Sequence, residues 1–222
     1  MREPGHPYQL LIFFLLILLL IVLIQVGIFS IALEKLGLST FSTFLLLFSS
    51  LIGSTVNLPL FSIQSTAQHM TGIQPIRQGL FPNRPIPFTG KTIIAINVGG
   101  ALIPIIFSIY LMQMHELDLG HVLLALLIVS SMSYLFSRPI AGVGIGIPIF
   151  VAPFSAAIAA LWIDPQHSAP LAYVCGTLGV LIGADVLRLN SVRALGTPVA
   201  AIGGAGTFDG IFITGIVAVL LA

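Results

Sequence analysis

The sequence predicts an all-α integral membrane protein of about seven transmembrane helices, and three observations predict it. Of 222 residues, 57% are hydrophobic and only 7% are charged, where a soluble domain carries about a quarter. The mean hydropathy is +1.12. Apolar runs that approach or exceed the roughly 20 residues needed to cross a bilayer as a helix fill most of the chain.

The spans are read from apolar length and polar breaks, near 9–33, 38–59, 92–114, 120–137, 143–163, 168–189 and 201–222. The first follows Arg2 and could pass for a signal peptide. Its apolar run continues to Leu33, too long for such a leader, and no small-residue cleavage site follows, so it reads as a retained span. Glu34-Lys35 separates it from the second. Glu116 and Asp118 separate the third from the fourth, which is the shortest. Arg138-Pro139, Asp164-Pro165 and the stretch Arg188 to Pro198 mark the later breaks. All of these spans belong to a single polytopic domain, residues 1–222.

Basic residues orient this arrangement, because cytoplasmic loops collect Lys and Arg. Arg2, Arg77, Arg84, Lys91, Arg138, Arg188 and Arg193 fall on one side and Lys35 alone on the other. The expected topology has a cytoplasmic N-terminus and an outer C-terminus, in the cell (inner) membrane. The stretch 61–91 is the one sizeable loop. Pro75, Pro82, Pro85 and Pro87 keep it from being one helix. Phe61–Gln64 and Thr92–Ile96 could be short strands forming a small hairpin; the alternative is an irregular loop on the membrane surface. The net charge of +1, with no basic patch, implies no nucleic-acid partner. The single cysteine, Cys175, sits in an apolar run as a packing residue. The five histidines lack metal-ligand spacing, so no metal or cofactor is expected.

Charge inside a bilayer is costly, so acids at depth are functional candidates. Of seven acids, Glu3, Glu34, Glu116, Asp118 and Asp164 fall in termini or loops. Asp185 and Asp209 remain, on the sixth and seventh spans. The glycine run before Asp209 is a poor helix former, so the last helix could begin near Thr207, with Thr207 as its cap. Both aspartates would then sit at similar depth. Two carboxylates brought that close cannot both ionise easily. One could activate water while the other protonates a leaving group. A structural reading competes: Asp185 and Arg188 at i, i+3 could pair, and Asp209 could cap its own helix. Asn97, before Gly99-Gly100 and Pro104, is a deep amide that needs a partner and could hold one aspartate in place. The glycines and prolines at Gly142, Gly144, Gly146, Pro148 and Pro153 read as close packing or as a discontinuous helix.

Three motifs carry a resemblance. Asn97-Val98-Gly99-Gly100-Ala101-Leu102-Ile103-Pro104, Gly183-Ala184-Asp185 and Gly203-Gly204-Ala205-Gly206-Thr207-Phe208-Asp209-Gly210-Ile211-Phe212 resemble a prokaryotic membrane family known as domain of unknown function 1614, over about residues 50–222. The stretch Asp209-Gly210-Ile211-Phe212-Ile213-Thr214-Gly215-Ile216 is also similar to the region of the second catalytic aspartate in the Gly-x-Gly-Asp intramembrane proteases, the presenilin and signal-peptide-peptidase group. The pattern here is Gly204-x-Gly206-x-x-Asp209, two residues longer. Alanine precedes Asp185 where that group usually has tyrosine, and its Pro-Ala-Leu motif is missing.

This second resemblance implies a di-aspartyl intramembrane protease. Asp185 and Asp209 would be catalytic and a membrane-embedded peptide the substrate. On the residues themselves, Asn97, Gly206, Thr207, Gly210 and Arg188 would support the pair, and the edge of the 61–96 region could hold the substrate by strand addition. A proton- or cation-coupled transporter using the same aspartates is the alternative, and a non-catalytic membrane subunit is a further one.

Overall fold

The computed structural model describes residues 27–28, 30–66, 90–140, 144–204 and 208–222. The first described helical stretch, α1, ends at residue 35 (30–35). Helix α2 (Thr40–Gly53) starts at Ser39, whose hydroxyl accepts from the Ser42 N–H, and runs into strand β1 (Asn57–Gln64). Strand β2 (Lys91–Asn97) leads through a π-helical turn (Val98–Leu102) into α3 (Ile103–Met114). Helix α4 (Leu119–Phe136) is capped by Asp118, which accepts from the His121 N–H, and is followed by a small hairpin of β3 (Arg138–Ile140) and β4 (Gly144–Gly146). Helix α5 (Val151–Ile163) joins α6 (Ser168–Val180) through a 3-10 turn. A second π-helical turn (Leu181–Val186) extends α6. The short α7 (Leu189–Val192), strand β5 (Val199–Ile202) and α8 (Phe208–Leu221) complete the order.

The expectation of about seven transmembrane helices in an all-α chain is corrected here. Among the described residues, two helices are long and apolar enough to cross a membrane, Leu119–Phe136 with 18 residues and Pro165–Val186 with 22. The other expected spans break into a strand and a shorter helix. Residues 38–59 become α2 and the start of β1, 92–114 become β2 and α3, 143–163 become β4 and α5, and 201–222 become the end of β5 and α8. At 1.5 Å per residue, the 14 residues of α2 or α8 reach about 21 Å, short of a hydrocarbon core of about 30 Å. The physical reason lies in the runs themselves. Thr92-Ile93-Ile94-Ala95-Ile96 is β-branched, and a continuous apolar run reads alike as a buried strand or a buried helix. The expected span at 9–33 lies largely outside the described residues, as does most of the loop 61–91.

One sheet is three-stranded, in the order β1-β2-β5. β1 and β2 pair antiparallel, from Asn57 opposite Asn97 to Gln64 opposite Lys91, with a bulge between Pro59 and Phe61. The strands foreseen at Phe61–Gln64 and Thr92–Ile96 do pair, over a longer register. β5, not foreseen, runs parallel to β2, with Ile93 opposite Val199 and Ile96 opposite Ile202.

Helix α6 is the central element. Leu171, Ala172, Tyr173, Val174 and Cys175 are all buried, and the ring of Tyr173 meets Phe107 of α3 edge-on at 5.0 Å. The small residues of α4 and α5 face α6, and the large ones face out. In α5, Ala152, Ala156, Ala159 and Ala160 are buried while Phe154, Ile158 and Trp162 are exposed. In α2 the buried residues are Thr43, Ser50 and Gly53, while Phe41, Phe48, Leu51 and Ile52 are exposed.

Candidate active site

Asp185 lies in the π-helical turn that closes α6. One extra residue in that turn gives the Leu187 N–H to the Ile182 carbonyl, 2.9 Å away, and such bulges recur at functional sites. Glycines set where the turn lies. A Cβ on Gly179 would meet Val129, and one on Gly183 would collide with the Ser130 carbonyl, so this end of α6 lies flush against α4.

Asp185 is only 6% exposed. Its Oδ2 accepts a hydrogen bond from the Gly203 N–H at 2.7 Å. Gly203 begins the loop between β5 and α8, the loop that leads to Asp209. It has φ +68, a conformation glycine adopts without strain. The parallel register places it beside Asn97, one residue beyond the paired Ile96 and Ile202. A Cβ added to Gly203 would fall 2.6 Å from the Gly100 carbonyl carbon, so the two backbones touch directly. The three glycine-bearing motifs of the sequence therefore meet at the carboxyl ends of two parallel strands, where α/β folds commonly place ligand sites.

Asn97 caps the π-helical turn after β2. Its Oδ1 accepts from the Gly100 N–H at 2.7 Å, and its Nδ2 donates to the Ser54 carbonyl at 2.7 Å and to Asn57 Oδ1 at 2.9 Å. The amide is satisfied within the protein by these groups, and Asp185 is not among them. Arg188 does not pair with Asp185 either. Its guanidinium stacks 4.1 Å from the Tyr134 ring centroid and donates to the Tyr134 and Ser137 carbonyls and the Ser137 hydroxyl, capping α4. Helix α8 begins at Phe208, so the backbone of Asp209 and Gly210 lies in its first turn. Their side-chain surroundings, together with Gly206 and Thr207, lie outside the described residues. Ile211, one turn along from Phe208, is buried in one cluster with Ala101, Leu181 and Ala184. The start of α8 is thus packed at the level of Asp185.

A second polar cluster, missed from sequence, sits where α4, α5 and α6 meet at the other end of α6. Asp164 Oδ2 lies 3.1 Å from His167 Nδ1 and 3.5 Å from His121 Nδ1, and Asp164 Oδ1 accepts from the His167 N–H at 3.2 Å. Burial pushes the Asp164 carboxyl up, but hydrogen bonds from the His167 backbone and ring, the His167 charge and the His121 ring outweigh it, leaving it below the ordinary value. The i, i+3 spacing of Asp164 and His167 was the available signal; His121 comes from a distant helix. Among the described residues, no group of three or more His, Cys, Asp or Glu is arranged to hold a metal.

Residues 51–221 match a family described as a protein of unknown function (DUF1614). No curated protein and no solved structure matches the chain.

Proposed function

The chain belongs to the DUF1614 family, whose description assigns no activity, and from the tie between Asp185 and the loop leading to Asp209 we propose a di-aspartyl intramembrane peptidase of the cell membrane. The carrying observation is the 2.7 Å hydrogen bond from the Gly203 N–H to Asp185. It joins the π-helical turn of one aspartate to the segment bearing the other. In the proposed reaction one carboxylate takes a proton from water as the water oxygen bonds to a peptide carbonyl carbon. The other, carboxylic acid, gives its proton to the amide nitrogen as the C–N bond breaks, leaving a new carboxyl end and a new amine end. The sheet supports a peptide as substrate: among the described residues β5 is an edge strand, immediately before this loop, and an extended segment can add to such an edge.

Membrane residence is supported by the inverted packing. Small and polar residues of α2, α4 and α5 face inward, while large apolar side chains face out, Trp162 with 85% of its surface exposed. Lipid-embedded helices pack this way, because close approach of small residues replaces a hydrophobic drive. Exposed apolar surface on this scale otherwise marks an aggregation hazard. In this reading Leu119–Phe136 and Pro165–Val186 cross the bilayer.

The π-helical turns at Val98–Leu102 and Leu181–Val186 also suit a transporter with interrupted helices. One experiment separates the readings. The full chain, reconstituted in liposomes, is given a synthetic single-span helical peptide carrying a fluorophore and quencher. Asp185→Asn and Asp209→Asn are each expected to slow cleavage by roughly 10²–10⁴-fold while helix content is unchanged. Full cleavage by either variant overturns the proposal. Absence of wild-type cleavage, with proton flux that both variants lose, assigns transport instead.

A further inference from the structure

Asn97 joins three elements without touching Asp185. Its Nδ2 holds the Ser54 carbonyl, at the end of α2, and the side chain of Asn57, at the start of β1. Its Oδ1 holds the Gly100 N–H in the π-helical turn. The residue is 1% exposed, so bulk water offers these groups no alternative partner. On the other side of Gly100 the contact is backbone on backbone, because neither Gly100 nor Gly203 leaves room for a Cβ facing the other. Gly203 then donates to Asp185. A continuous path of tight contacts runs from the α2–β1 corner through Asn97, Gly100 and Gly203 to the carboxylate.

The same turn is held from a second direction. The Ser50 hydroxyl of α2 donates to the Gly99 carbonyl at 2.7 Å, and a Cβ on Gly99 would collide with the Ser50 carbonyl. The glycine pair Gly99-Gly100 is thus clamped between α2 on one face and the Gly203 loop on the other. A turn held on both faces by backbone contact has little freedom to absorb a displacement, and close-packed interiors transmit strain.

We infer that Asn97 is a positioning residue that couples the α2–β1 corner to Asp185, so that a displacement of that corner changes the pose and hydrogen bonding of the carboxylate. The consequence for activity rests on the peptidase reading above; the coupling itself does not.

The test is isotope-edited infrared spectroscopy of the full chain with labelled aspartate carboxyls, the Asp185 band being identified by its loss in Asp185→Asn. In Asn97→Ala the Asp185 band is expected to move, and the pH optimum of peptide cleavage to move by about one unit. Asn57→Ala, which removes one of the two acceptors of Asn97, is expected to move the band less and provides the answer if Asn97→Ala does not fold. Leu111→Ala, in the core of α3, is expected to lower stability and leave the band in place. A band unmoved in Asn97→Ala, or in Asn57→Ala where that variant stands in, with stability lowered as in Leu111→Ala, overturns the coupling and leaves Asn97 a structural cap. A moved band in a protein that cleaves nothing upholds the coupling while defeating the peptidase reading.

Discussion

Gly203 holds φ +68 with its N–H on Asp185 and its backbone against Gly100. Any other residue there must hold a left-handed conformation and find room for a Cβ where none exists. Gly203→Ala is therefore expected to cost about 1–3 kcal/mol of stability, read as a shifted unfolding midpoint in detergent. Asp164 makes a separate prediction. Its folded carboxyl titrates below its unfolded value, so its contribution is present above the unfolded value and is lost as pH falls through the folded one. Asp164→Asn should lower the melting temperature at neutral pH, and the deficit should close as the pH falls through the acid range. A deficit that persists unchanged into acid would show that the carboxylate is not the source.

At the scale of elements, two helices were legible, because Leu119–Phe136 and Pro165–Val186 are apolar over their lengths and end at polar breaks, although the fourth, read as the shortest span, is with 18 residues longer than α2, α3, α5 or α8. Strand β5 was not. Val199-Ala200-Ala201-Ile202 reads equally as the opening of a helix, and only its parallel register with β2 makes it a strand. Asp185 stood out because a lone acid in an apolar run is conspicuous. Its partner, the Gly203 N–H, was invisible, since a backbone donor carries no sequence signal. The contact between Gly100 and Gly203 depends on the same register. Asn97 was legible as a buried amide needing partners, but which partners it takes is a property of the fold. The packing of α6 on α4 through Gly179 and Gly183 yields a test at this scale. Gly183→Leu drives a side chain into the Ser130 carbonyl and Ser133 of α4, and such overpacking costs about 1–3 kcal/mol. The thermal midpoint should fall, and fall further than for Gly27→Leu, whose Cβ position faces open space on an ordinary helical backbone.

At the scale of the whole molecule, large apolar side chains of α2, α4 and α5 face outward around a buried core. The single tryptophan, Trp162, samples that outward surface directly, since it lies at the end of α5 with its ring exposed. In liposomes its fluorescence should be quenched by brominated lipid and protected from aqueous iodide; iodide quenching without lipid quenching would contradict membrane residence for that face. In the proposed peptidase, Asp185 and Asp209 act as one acid–base unit joined through the Gly203 loop. Groups that act as a unit are strongly non-additive when removed together. The most direct measurement is the cleavage rate of a single-span peptide by Asp185→Asn, Asp209→Asn and the double variant. The account predicts that each single variant loses nearly all activity and that the double variant is no slower than either. Effects that multiply across the double variant, or a single variant that keeps the wild-type rate, would contradict it.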